Sequence, residues 1–240
     1  MLAAAALVAG FAKTAVGGLG TVAVALVAAV MPARDSTAAL LLLLLVGDVL
    51  AVSFYRRDCD WSLLRHLVPA VLPGVALGSV VLGVLDDATM RIGLGVLLVL
   101  LVLAQLWTGR RDAVTTGGNS VGWSRRATAG VGLAAGFTTM LANAAGPVMT
   151  LYLLAQGVDK RRFLGTGAWF FLGVNLSKLP FSVGLGLIDG DMLRTTAMLA
   201  PVVLLGGLVG LFVVRRIGQR SFDAAVLSAS LVSAVALLLR

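Results

Sequence analysis

The sequence predicts an all-α integral membrane protein made of two inverted repeats, each a broken or re-entrant helical hairpin plus three transmembrane helices. Composition, two internal breaks and the placement of charge predict it. Of 240 residues, 59% are hydrophobic and 12% charged, and the mean hydropathy of +1.01 is too high for an ordinary water-facing surface. Two runs of small and polar residues interrupt apolar segments: Gly10-Phe11-Ala-Lys13-Thr-Ala-Val-Gly17-Gly18-Leu-Gly20 and Gly136-Phe-Thr-Thr-Met-Leu-Ala-Asn143-Ala-Ala-Gly146-Pro147. A membrane helix tolerates such a break where it lines something polar. One break in each half of a chain is the mark of a transporter built from repeats.

The chain opens on the apolar run Met1 to Gly10 with no basic stretch before it, unlike a cleaved signal peptide, so this run is expected to belong to the fold. Leu2 to Ala12 and Gly18 to Val30 form two short arms around the first break. Each reaches about half of a ~30 Å hydrocarbon core, so together they make one broken span or a re-entrant hairpin. Ser36 to Tyr55, Ser62 to Val84 and Met90 to Trp107 are long enough to cross. The second half repeats the order. Ala127 to Thr139 and Ala144 to Gln156 are short arms, and Arg162 to Gly184, Met192 to Val214 and Phe222 to Leu239 are full-length. Gly10-Phe11 matches Gly136-Phe137, Asp48 matches Asn175, Pro73 matches Pro201 and Gly78 matches Gly206. A single transmembrane domain thus covers 1–240, with repeat one at 1–108, a connecting loop at 109–126 and repeat two at 127–240.

Charge decides how the second break is threaded. If every broken segment crosses, the loop Lys and Arg residues divide 9 to 8 between the faces. If the second returns to its own side, Arg56, Arg57, Arg65, Arg110, Arg111, Arg125, Arg126, Lys160, Arg161, Arg162, Arg215, Arg216 and Arg220 share one face, a split of 13 to 4 against Arg34, Arg91, Arg194 and Arg240. The positive-inside rule favours the hairpin and a cytoplasmic basic face. Charge does not test the first break, which symmetry makes a hairpin too. Both termini then lie outside, and the hairpin tips meet near the midplane, where inverted-repeat transporters hold substrate.

The tips suit an anion. Gly17, Gly18, Gly20 and Gly146, beside Asn143, Thr138, Thr139 and Pro147, allow close backbone approach and expose helix N-termini, which attract oxyanions. Lys13 lies in one tip, and Lys178 lies inside a span three residues from Asn175. An ionised lysine at the membrane centre costs about 2.5–3.5 kcal/mol on insertion scales, so each needs a partner. Asp48 or a bound anion is the expected partner of Lys178, with Asp48 as ion pair or coupling group. Plainer readings stand beside these: glycines also serve close helix packing, and either lysine would snorkel if shallow. Tyr55, Trp61, His66, Trp107 and Trp123 are expected interface anchors. The single cysteine, Cys59, excludes an internal disulfide or multi-Cys metal site and reads as a loop bystander.

Gly-Phe near a glycine-rich break, Gly136-Phe137 to Gly146-Pro147, Leu151-Tyr152-Leu153-Leu154, Phe163-Leu-Gly-Thr166 and Asn175-Leu-Ser-Lys178-Leu-Pro180 resemble, in that order, the TauE/SafE sulfite exporter family of membrane permeases. The resemblance implies transport of sulfite or a small organosulfonate, usually out of the cytoplasm. In two places the chain departs from the family pattern: Leu19 interrupts the first glycine run, and Ala145 stands where Gly-Gly-Pro is common. An inside-negative potential favours anion expulsion by about 2.3 kcal/mol per charge per 100 mV, so export needs no further coupling.

Other classes fit less well. A hydrolase would need a nucleophile with a base or paired carboxylates, and one His, one Cys, no Glu and one plainly intramembrane Asp do not supply them. A cation carrier would place more acids than lysines in its spans. No phosphate-binding Gly-x-x-x-x-Gly-Lys run is present. A non-transporting scaffold or a carrier of another small organic anion stays open. The expected setting is a multi-pass protein of the cell (inner or plasma) membrane without cofactor, metal or nucleic acid, and its size allows a homodimer.

Overall fold

The computed structural model describes residues 1–15, 20–28, 30–84 and 124–219, with isolated positions at 86, 89, 221, 222, 225 and 228. Among these, all regular structure is helical: α1 (Leu2–Thr14), α2 (Gly20–Ala28), α3 (Ala33–Tyr55), α4 (Trp61–Val84), α5 (Arg125–Ala142), α6 (Ala145–Ala155), α7 (Lys160–Gly184) and α8 (Gly190–Arg216). The expected span Met90 to Trp107, most of Phe222 to Leu239 and the connecting loop up to residue 123 lie outside the described residues.

Among the described residues, three helices are long and apolar enough to cross a membrane, over Asp35–Tyr55, Trp61–Val84 and Gly190–Arg216. α7 has 25 residues, about 37 Å at 1.5 Å per residue, but carries Asn175, Ser177 and Lys178 and is correspondingly less apolar. α1, α2 and α6, of 13, 9 and 11 residues, fall short of the ~20 residues a crossing needs. α5 is longer than the sequence suggests, because Ser124 caps it by accepting from the Ala127 N–H at 3.2 Å and helix continues past Thr139 to Ala142. Asp159 and Asp189 cap α7 and α8 in the same way.

Two parallel helix pairs pack backbone to backbone. In the pair α1–α8, Gly206 lies against the Leu7 carbonyl, Gly210 against Phe11, and Gly10 against Val203 and Gly207. In α4–α5, Gly74 lies against the Leu133 carbonyl, Gly78 against Phe137, and Gly136 against Val71 and Val75. A Cβ at these positions would collide with a carbonyl or an amide of the facing helix, so glycine sets the approach. The two pairs correspond contact for contact, with Gly10 equivalent to Gly136 as the sequence suggests. In α4 and α8, however, Gly74 corresponds to Gly206 and Gly78 to Gly210. The sequence match of Pro73 with Pro201 and of Gly78 with Gly206 differs from this packing correspondence by one turn. Glycines four residues apart on both helices let either register fit by eye, and only the packing distinguishes them.

The short helices pack beside the long ones. Ala5 and Ala9 of α1 share a core cluster with Ala23 and Val27 of α2 and with Leu40 and Leu44 of α3. On the other side, Gly132 of α5 sits against the Leu67 carbonyl, while Tyr152, near the end of α6, donates to the Leu63 carbonyl at 3.5 Å. The end of α6 therefore returns toward the level at which α5 began. At that end Lys160 Nζ donates to the carbonyls of Val214 (3.0 Å) and Ile217 (2.6 Å), joining the start of α7 to the end of α8. Arg56, Arg57, Arg65, Arg125, Arg126, Lys160, Arg161, Arg162, Arg215 and Arg216 are gathered there, and Arg194 lies on the first turns of α8 at the other end.

Gly10→Ala and Gly136→Ala are each expected to lower the stability of the detergent-solubilised protein by about 1–3 kcal/mol through overpacking. Gly130→Ala and Gly173→Ala, where a Cβ meets nothing within 4 Å, should leave it unchanged. Thermal unfolding of the four variants checks this, and equal loss at all four would remove the close-packing account.

Candidate functional site

The ends of α1 and α5 bring polar side chains to the middle of α3 and α7. Lys13, in the last turn of α1, places Nζ 2.7 Å from Asp48 Oδ1, with the carboxylate fully buried and the lysine 9% exposed. Asn175 Nδ2 donates to Asp48 Oδ2 at 2.6 Å, and the Phe171 ring centroid lies 4.3 Å from the same ammonium. The carboxylate thus holds one cation and one amide donor, and the cation rests on an aromatic face. Asp48 pairs directly with Lys13 and not with Lys178, for which Asp48 or a bound anion is the partner expected from sequence. Asn175 takes the position facing Asp48 that a direct bond to Lys178 would need.

Lys178 is completely buried. Its ammonium donates to Thr139 Oγ1 at 3.4 Å and to Asn143 Oδ1, both neutral acceptors. Asn143 ends α5 in the left-handed conformation (φ 51°, ψ 29°), which asparagine adopts more readily than most residues. Its Nδ2 donates to the Thr37 carbonyl at 2.9 Å, and Thr37 Oγ1 donates to the Leu141 carbonyl at 3.1 Å. The second break is therefore stitched to the start of α3. Pro147 falls in the first turn of α6, where a missing N–H costs no helical bond.

A cavity of about 40 Å³, measured as the space open to the centre of a water-sized sphere, lies between these groups. Ala12, Lys13, Gly20, Leu44, Thr139, Asn143, Gly146, Phe163, Leu164, Gly167, Ala168, Phe171 and Asn175 line it. That space suits a few waters or one small ion. Of the residues expected from sequence, Lys13, Gly20, Thr139, Asn143, Gly146 and Asn175 meet at the wall, and Asp48 stands behind Lys13. Lys178 is not in the wall but one side chain behind it, reaching it through Thr139 and Asn143. Thr138 is turned away and donates to the Ala135 carbonyl at 3.3 Å. Gly17, Gly18 and the Pro147 side chain lie outside the described residues.

Sequence reasoning missed several participants. Phe163, Gly167, Phe171 and Asn175 follow one another at four-residue steps along α7, a face that the polar end of the stripe could have revealed. Tyr55, expected at the membrane interface, donates to the Thr14 carbonyl at 2.9 Å and satisfies the end of α1. Thr14 Oγ1 donates to the Gly207 carbonyl at 2.7 Å, fixing that end on α8. Neither bond has a signal in local sequence.

A second, polar cleft of about 470 Å³ opens at the basic end, lined by Arg57, Asp58, Cys59, Asp60, Trp61, Asp159, Arg161 and Arg162. Thr166 Oγ1 accepts from the Asp60 N–H at 2.8 Å, and Gly165 allows α7 to press on the Asp58 backbone. The Ser62 hydroxyl, donating to Asp60, is the main cause holding that carboxyl below its ordinary value. Burial first, then the Asp60 charge, pushes the Cys59 thiol up to about 11.

Together these features define a helical membrane protein with a secluded charged site where short helices end beside long ones. The chain matches the family model described as Sulfite exporter TauE/SafE over residues 2–237. It belongs to that family of membrane transporters. Comparison with curated proteins and with solved structures gave no match.

Breaking the ion pair from one side strands a buried charge. Asp48→Leu is expected to destabilise the protein by about 3–5 kcal/mol, whereas Lys13→Met combined with Asp48→Leu should recover most of that loss. Thermal unfolding of the single and double variants measures the difference, and a double variant no better than the single would show that the pair does not act as a unit.

Proposed function

We propose that this protein is a secondary transporter that carries a small sulfur-containing anion, sulfite or an organosulfonate, out across the cell membrane by alternating access. One observation carries the reading: Lys178, fully buried, holds only neutral acceptors beside a cavity that a second lysine also lines. A buried ammonium without a carboxylate is costly, and an anion entering the cavity offsets that cost. Membership of an exporter family supports the same substrate class.

The packing supports two inverted repeats. α1–α8 and α4–α5 correspond contact for contact, and Asp48 and Asn175, equivalent positions in the two halves, bond to each other. The return of α2 along α1 and of α6 along α5 supports re-entrant hairpins whose tips flank the cavity. On this reading repeat one is 1–108, repeat two is 127–240, and the arginine-rich end faces the cytoplasm. The membrane potential drives export, and proton coupling through Asp48 is an optional addition to the mechanism.

Sulfite flux in proteoliposomes under an imposed potential tests the reading. Wild type should show saturable flux, and folded Lys178→Met, which removes one of the two cationic charges of the cluster, should lose about tenfold or more of it, equivalent to about 1.4 kcal/mol. Absence of flux for every small anion under any gradient would leave a scaffold as the better account.

Orientation has its own check in intact cells. A membrane-impermeant maleimide should reach Cys59 only after permeabilisation, and labelling should accelerate as pH rises toward the thiol value of about 11. Labelling of Cys59 from outside would invert the assigned orientation.

A further inference from the structure

The charges around the cavity do not balance. Lys13, Asp48 and Lys178 are the ionisable side chains of this cluster among the described residues, and two ammonium groups against one carboxylate leave one net positive charge. Helix ends do not alter the sum. Each break pairs a helix C-terminus with an N-terminus, α1 with α2 and α5 with α6, so their partial charges of about half a unit oppose each other. The α1 end is further satisfied by Tyr55 and the α5 end by the amides of Asn143 and Ala144.

We infer that the cavity selects singly charged anions over doubly charged ones of the same size, so that the transported species is hydrogensulfite or a sulfonate monoanion and not the sulfite dianion or sulfate. This rests on reading the cavity as an anion site. A monoanion neutralises the cluster, whereas a dianion leaves a buried net negative charge and gives up more hydration on entry. Lys13 in the wall meets the anion directly. Lys178 acts from behind through the Thr139 hydroxyl and the Asn143 amide, each of which can turn a donor toward the cavity while accepting from the lysine. Among the described residues, Lys13 is the one cation in the wall, so a second negative charge meets no second cation there.

Methanesulfonate and sulfate are a suitable pair of probes, tetrahedral ions of similar size that differ by one charge. Competition of each against labelled sulfite uptake into wild-type proteoliposomes should favour methanesulfonate by about tenfold or more. Sulfite uptake at fixed total concentration should fall with rising pH in step with the hydrogensulfite fraction. In Asp48→Asn, which adds one net positive charge to the cluster, the methanesulfonate-to-sulfate preference should shift toward sulfate. Because that preference is a ratio, it is read from whatever fraction folds, and the wild-type ratio decides the matter if none does. Equal or better competition by sulfate in wild type would overturn the charge rule while leaving an anion carrier in place. An unchanged ratio in folded Asp48→Asn would overturn it as well. Absence of sulfite uptake in wild type would overturn the carrier reading itself, and this inference with it.

Discussion

The ion pair between Lys13 and Asp48 is the constraint on which the interior depends. Two opposite charges 2.7 Å apart, out of water, fix how far α1 penetrates beside α3. The Asn175 amide on the other carboxylate oxygen fixes α7 against the same point. Three helices are thereby set by one carboxylate. A buried pair of this kind adds little net stability over an apolar substitute. Its value lies in register, since Lys13 is the one charged side chain of α1 and sets that helix against α3.

The rest of the site is hung on that point through chain ends. α1 stops where Tyr55 donates to the Thr14 carbonyl and Thr14 Oγ1 reaches the Gly207 carbonyl of α8, and α5 stops where Asn143 turns left-handed and reaches the Thr37 carbonyl. Each stop frees backbone at a depth where lipid offers no hydrogen bonds, and in each case the neighbouring helix supplies them. Asn143 serves both purposes, as the cap of a broken helix and as an acceptor for Lys178. Structure and chemistry therefore meet in one side chain, and the break cannot be closed without removing a partner from the lysine.

Much of this was legible in the residues. Lys13, Asp48, Asn175 and Lys178 are conspicuous because charge and amide groups are rare in apolar segments, and the breaks are conspicuous because glycine and asparagine interrupt leucine and alanine. The pairing among the four was not legible. Asp48 lies equally open in sequence to Lys178 and to Lys13, and the choice depends on the rotation of α7, which brings Asn175 forward and sets Lys178 behind Thr139 and Asn143. The one-turn difference between α4 and α8 has a similar origin, because a four-residue glycine spacing matches itself in more than one register. The partner of Tyr55 was not legible either, because an aromatic near a helix end reads as an interface anchor, and the carbonyl it meets belongs to a segment distant in sequence.

The glycine contacts also divide the molecule mechanically. Where two helices meet through glycines, backbone carbonyls press directly on the facing helix with few side chains between, and neither helix shifts easily without parting from its mate. α1 with α8, and α4 with α5, each behave as a welded bar. The seam between α3 and α7 is of another kind, joined at its centre by a single amide-to-carboxylate bond with a small cavity beside it. Among the described residues, the charged side chains of the site lie along this seam and not inside either glycine-packed pair.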